Sequence, residues 1–281
     1  MLGLGLNIGR VSFVSPFLLD QHGIKSKAVC AYSLTRLSYR ATKCIRVRRD
    51  SDNEEIDIGF KSGVIDVASL FAFVGENNGL VTIWYDQSGN NINAVQSITD
   101  RQPRIVTAGS LENGILFLNT SSNWMNIADN DKLRITQKPL TISAKISRFS
   151  DSSTSWLFSR NLSGVTDNMQ YGILYNDNGS TSFHLENSQR SGLPSDSIIA
   201  DTVTNIAHIW QPDNATRHYT DANLRRSSSY DGALTDRPYT HIGCRSSSSD
   251  GTSKTSYFKG NVINLMLFNA DMTDYIGKMH V

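Results

Sequence analysis

Cys44-Ile45-Arg46-Val47-Arg48-Arg49 alternates apolar and basic residues, Asp50-Ser51-Asp52-Asn53 supplies turn chemistry, and Glu55-Ile56-Asp57-Ile58-Gly59-Phe60 alternates again. Two runs of period two around a polar cluster predict a β-hairpin with one face buried. Arg48 and Arg49 are then expected to face Glu54, Glu55 and Asp57 across the ladder, an opposite-charge pairing that stabilises by a fraction of a kcal/mol. That pairing also disposes of the cationic run as a phosphate-binding patch.

The hairpin leads into one convincing helix. Asp66 is placed as N-cap, Val67 to Val74 carries apolar residues at helical spacing, and Gly75 is the stop. Gly79 to Tyr85 returns to strand chemistry, and Asp86-Gln87-Ser88-Gly89-Asn90-Asn91 is a turn. Short strands then recur between Ser, Asn, Asp and Gly clusters. They are expected at 104–107, 115–118, 140–148, 156–159, 171–176, 181–185, 204–211, 216–220, 240–244 and 257–269, with the serine tracts at 150–155, 227–229 and 246–249 as loops. Many short strands with almost no helix between them predict an all-β, antiparallel jelly-roll sandwich with one short helix near residues 66–75.

Composition narrows the function classes. Against 27 Lys and Arg stand 26 Asp and Glu, so the net charge of +1 gives no cationic excess for a nucleic acid. No stretch reaches the roughly 20 apolar residues of a membrane-spanning helix. Cys30, Cys44 and Cys244 fit no zinc spacing and are read as free thiols of a reducing compartment, with a Cys30–Cys44 bridge the one pairing left open. Residues 1–10 are apolar and Gly-punctuated without a basic leader; residues 1–27 are expected to form an arm ahead of a single sandwich domain over 28–281, with a strand of that same domain as the other reading.

Two stretches carry a resemblance. Ala31-Tyr32-Ser33-Leu34-Thr35-Arg36-Leu37, the hairpin, the helix and Val81-Thr82-Ile83-Trp84-Tyr85-Asp86-Gln87-Ser88-Gly89-Asn90 are similar to the N-terminal part of the catalytic domain of the fungal α-L-arabinofuranosidase B family. Ile206 to Trp210, Tyr219 to Ala222, His241 to Gly243 and Tyr257 to Phe268 resemble a laminin-G or concanavalin-like jelly roll. The resemblance implies a concanavalin-like fold over most of residues 28–270. It also implies a nucleophile at Glu186, in His184-Leu185-Glu186-Asn187, and an acid/base residue in the loop from Cys244 to Gly251. Three features depart from the family. His184 stands where it carries an Asp; Ser248, not Asp250, falls at the acid/base spacing; and its adjacent-cysteine disulfide has no counterpart.

With those departures, the similar stretches and the cysteine pattern imply a non-enzymatic structural protein of a tailed-bacteriophage virion. It would be assembled in the host cytoplasm, joined to other virion subunits through residues 1–25 or to copies of itself, and able to bind a cell-surface glycan. Asp86, Gln87, Trp124, Trp156 and Trp210 are the candidate glycan contacts, because aromatic faces suit sugar rings. Two further readings stand beside it: a retaining glycoside hydrolase using Glu186 and Asp250, and an assembly module with no ligand. No cofactor or resident metal is expected. Asp129-Asn130-Asp131 and Asn176 to Ser180 offer oxygens to Ca2+ but read as turns, and His184, His208, His218 and His241 are expected to cap core edges.

Overall fold

The computed structural model describes residues 16–21, 23–150, 153–162, 169–186, 188–189, 192–212 and 214–280. Its strands form two antiparallel layers. One runs, neighbour to neighbour, Glu55–Lys61, Lys43–Arg49, Gly79–Trp84, Ala94–Val95, Met125–Ile127, Tyr239–Ile242, Ser155–Asn161, Met169–Tyr175 and Thr181–Leu185. The other runs Ala28–Ser33, Gly260–Phe268, Leu140–Arg148, Val203–Trp210, Asn214–Thr220 and Asn223–Tyr230. The hairpin of Arg104–Thr107 and Ser110–Phe117 ties the layers together at one side. The all-β sandwich expected from the sequence is thus the fold observed.

Alternation explains the layering. Ile45, Val47, Val81, Leu157, Phe158, Ile173 and Phe183 of the first sheet meet Ile142, Ala144, Ile146, Ile206, Val262 and Leu265 of the second, all buried in one core. Ala207, Ile209, Met266 and Phe268 point out of the opposite face of the second sheet. There Leu18, Leu19 and Ile24 cover them together with Met272 and with Ile276 and Met279 of the final 3-10 turn, Thr273–Met279. Of the arm expected over residues 1–27, Leu18, Leu19 and Ile24 are therefore packed on the sandwich in a second small core, while residues 1–15 lie outside the described residues.

The local readings fare unevenly. The helix is Val67–Val74, with the Asp66 carboxylate accepting from Ser69 N–H and Gly75 at φ 59°. The hairpin forms as expected, but its charges pair differently. Asp57 takes Arg46 at 2.7 Å and Lys43 at 2.6 Å, Arg49 turns to Asp52 inside the turn, and Arg48 is buried against Gln102 and Asn53. The reason is the pleat: Arg48 and Arg49 are consecutive, so they cannot both reach one face. Asn223–Tyr230 is a strand where a serine loop was expected. Its side chains are mostly exposed at a sheet edge, so it carries no apolar alternation to read. No helix among the described residues is long and apolar enough to cross a membrane.

Candidate functional site

The backbone register draws one row of residues across the first sheet. Asn126 lies opposite His241, His241 opposite Ser159, Ser159 opposite Gly172, and Gly172 opposite His184. Cross-strand neighbours share a face, and the apolar residues that flank this row point into the core, so the row faces away from it. The two small residues in the middle leave space that aromatic rings fill. A Cβ at Gly172 would lie 2.9 Å from Trp156 Cζ3 and 2.8 Å from the Phe158 carbonyl, so only glycine fits beneath the indole. Trp156 then abuts His184 edge-on, with ring centroids 4.8 Å apart.

At the other end Trp124 meets His241 at 5.5 Å, and the Lys254 ammonium sits 4.6 Å over the Trp124 ring. The segment from Gly243 to Phe258 folds over the row, anchored by Ser159 Oγ to the Cys244 carbonyl at 2.8 Å and by Asn161 Nδ2 to the Ser246 carbonyl at 2.9 Å. Both imidazoles are buried and neutral at pH 7. Burial, then the nearby Arg245, pushes His184 down to about 4; burial, then Lys254, pushes His241 down to about 3. Among the described residues both ring nitrogens of His184 and the Nδ1 of His241 lack a hydrogen-bond partner. A neutral imidazole offers one donor and one acceptor, so the row carries unpaired polar atoms packed against the indole rings and shut off from solvent.

Glu186 follows His184 by two residues, just past the end of Thr181–Leu185. Its backbone is left-handed, at φ 41°, which is costly for a non-glycine residue. Its N–H donates to the Gln170 carbonyl, and its half-buried carboxylate accepts from both the N–H and the hydroxyl of Thr235, with Arg237 Nη2 3.8 Å away. Asp250 sits exposed in the loop between Arg245–Ser246 and Lys254–Thr255. Hydrogen bonds from the Ser248 hydroxyl and from the N–H and hydroxyl of Thr252 hold it down at about 2. No ion-pairing group is shared by the two carboxylates among the described residues: Asp250 is satisfied within its own loop, Glu186 by Thr235 and Arg237 from a distant segment.

The other sequence candidates have structural employment. Asp86 accepts from Ala31 N–H, Ser88 N–H, the Ser88 hydroxyl and Ile92 N–H. Gln87 accepts from Leu37 N–H and donates to the Ser33 and Thr35 carbonyls, although the turn rims a cleft with Lys25 and Arg40. Both knit Ala28–Ser33 to the turn and have no polar atom to spare for a ligand. Gln87→Ala is accordingly expected to lower stability by about 2 kcal/mol in thermal melts, while sugar affinity or turnover stays at the wild-type level. Trp210 is wholly buried, its ring 6.1 Å from Tyr230, and takes no part in the row. Of the five glycan candidates, only Trp124 and Trp156 come to the same face.

His208 and His218 do not cap edges but lie in the interior, Nδ1 to Nδ1 at 2.7 Å, with His208 stacked on Phe183 and His218 edge-on to it. Asp129 and Asp131 are engaged by Arg134, and Asn176 bonds across its own turn to Ser180. The reading of the sequence missed His241, Lys254 and Gly172 as neighbours of His184. Nothing local marks them, because three strand pairings separate the two ends of the row.

No protein-family model matches the chain, and no curated protein matches its sequence. Solved structures do. An arabinofuranosidase complexed with arabinofuranosyl-α-1,2-xylobiose superposes with a TM-score of 0.69 at 16% identity, covering 90% of this chain and 61% of that one. A GH54 α-L-arabinofuranosidase soaked with a cyclic sulfate inhibitor gives 0.67 at 16% identity, covering 91% and 62%. NanB with Optactamide gives 0.50 at 14% identity, covering 60% and 27%. The chain therefore spans about three-fifths of the length of the two arabinofuranosidases. At this identity the likeness establishes the fold. It also overturns the expectation of a non-enzymatic virion protein: the structures that share the fold over nine-tenths of the chain are arabinofuranosidases, and no virion role is supported.

Proposed function

We propose that this chain is a glycoside hydrolase of the retaining α-L-arabinofuranosidase type, with Glu186 as nucleophile. The observation that carries the reading is Glu186 itself. It is a carboxylate held by two donors from Thr235 on a strained left-handed backbone, at the strand end where the family resemblance puts the nucleophile. Backbone strain of this kind persists where the surroundings over-determine it, commonly at functional sites. The Glu186 carboxylate attacks the anomeric carbon as the leaving oxygen departs, giving a glycosyl ester that water hydrolyses with inversion at the second step. Two inversions retain the configuration.

Asp250 shapes the substrate range. A general acid must carry a proton near the working pH, and three hydrogen bonds keep Asp250 ionised. Cleavage is then fastest for leaving groups that depart as stable anions. The test is hydrolysis of 4-nitrophenyl α-L-arabinofuranoside beside an alkyl arabinofuranoside. Wild type is expected to turn over the aryl substrate and favour it strongly. Glu186→Gln should lose roughly 10³-fold or more in kcat, whereas Asp250→Asn should leave the aryl rate within about threefold. Absence of turnover by wild type, or full activity in Glu186→Gln, overturns the reading.

A further inference from the structure

We propose that the cavity between Arg48 and Arg104, on the outer face of the first sheet, binds a single oxyanion: the carboxylate or sulfate of an acidic sugar, or the free inorganic ion. This inference is independent of the role given to Glu186. Arg48 lies opposite Leu80, and Leu80 opposite Arg104, so the register places the two guanidinium-bearing residues on one face with a leucine between them. They line a cavity of about 240 Å³.

Arg48 is only 7% exposed, and yet among the described residues it has no ion pair. Its Nε donates to Gln102 Oε1 and its Nη1 to Asn53 Oδ1, both at 2.7 Å, and Nη2 makes no hydrogen bond among the described residues. Burying a cation is costly unless an anion or a full set of acceptors compensates it. Here two neutral amides satisfy part of the fork. Arg104 makes no side-chain hydrogen bond or ion pair among the described residues, so a second guanidinium stands ready on the other side of Leu80.

The supporting wall is fixed. Gln102 Nε2 donates to the Gln96 carbonyl, and Asn123 donates to the Gln102 carbonyl while accepting from Leu118 N–H. The acidic groups nearby make no ion pair with either arginine among the described residues. Asp50 is occupied by the N–H and Nδ2 of Asn78, and Glu55, opposite Arg48 on the neighbouring strand, turns to the Thr82 hydroxyl at 3.3 Å. Asp50 and Asp100 line the same cavity, so the two arginines can offset the charge of one small acid group but not that of a polyanion. An oxyanion accepting from both arginines completes the donor set, and Leu80 offers an apolar floor to the carbon skeleton behind it.

The experiment is calorimetric titration of the full chain with sodium D-glucuronate and with sodium sulfate at constant ionic strength, using D-glucose as the neutral control. Saturable binding of glucuronate alone assigns the site to acidic sugars, of sulfate alone to the free ion, and of both to the shared group; each supports the proposal. Arg104→Gln, a half-buried residue without partners, should fold normally and weaken binding at least about fivefold, with the ligand-free melting temperature unchanged. Glu186→Gln should bind as wild type does, which separates this site from the hydrolase reading. No saturable binding of either anion, equal binding of glucose, or affinity that survives Arg104→Gln overturns it.

Discussion

Lowering the pH from 7.5 to 5 will strip most of the folding stability from this protein, before the bulk of its carboxylates protonate. Four buried histidines cause it. His184 is pushed down to about 4, His218 and His241 to about 3, and His208 well below its ordinary value, in each case first by burial. A histidine whose folded value is depressed holds fewer protons folded than unfolded. Its stabilisation is therefore complete above about 6.5 and is lost as the pH falls toward the folded value. Each contributes about 1.4 kcal/mol per pH unit in that window, so four together give a slope on the order of 5 kcal/mol per unit.

Against a total stability of about 5–15 kcal/mol, that slope unfolds the protein near pH 5. The His208–His218 pair adds geometry to the argument. One Nδ1 donates to the other at 2.7 Å, while the Nε2 atoms face the hydroxyls of Thr181 and Thr216. A second proton would set two donors against each other with Phe183 packed alongside and Arg226 already disfavouring charge. Asp57, held down by Arg46, Lys43 and Tyr85, titrates in a separate and lower window. Denaturant unfolding at pH 7.5, 6.5, 5.8 and 5 measures the slope, and His241→Gln should flatten it by about a quarter. A free energy that stays level down to pH 5 would refute the assignment.

Arg160→Met should cost about 3 kcal/mol and lower the melting temperature by roughly 10 °C. Arg160 is fully buried and uses its whole fork: Nε to Gln170 Oε1, Nη1 to the Thr240 hydroxyl, and Nη2 to Asp129 and Asp236, all at 2.8–2.9 Å. Methionine keeps the volume but leaves those acceptors facing an apolar chain. The cost falls at the low end of the range for a broken buried pair because Asp129 and Asp236 reach solvent and Arg134 still contacts both. Burial alone would raise Asp129, but Arg134 and Arg160 outweigh it and hold it low.

The same substitution reaches Glu186. Gln170 Oε1 also accepts from Arg237 N–H, and Asp236 sits between Thr235 and Arg237, the residues that hold the Glu186 carboxylate. Arg160→Met is therefore expected to depress turnover as well as stability. A melting temperature within about 2 °C of wild type would show that the buried fork contributes little.

Local chemistry was readable wherever neighbouring residues decide it. The Asp66 cap and Gly75 stop bounded the helix, the alternation at 44–60 gave the hairpin, and 104–107, 140–148 and 181–185 were located to the residue. The Asn223–Tyr230 edge strand escaped because solvent bathes both its faces and removes the pattern. A four-residue resemblance singled out Glu186 as a candidate, but its left-handed backbone and its grip by Thr235 were not legible, since 49 positions separate the partners.

The sequence by itself determined two antiparallel layers, because side-chain alternation is a property of each strand taken singly. Only the tertiary structure decided which strands lie side by side. That choice put His184 and His241 at the ends of one row over Gly172 and Ser159. It also put Arg48 and Arg104 on either side of Leu80, and turned Arg160 from a strand arginine into the buried support of a loop. Cross-strand register is set by packing the whole core at once, so the chemistry it assembles is written in no single stretch of chain.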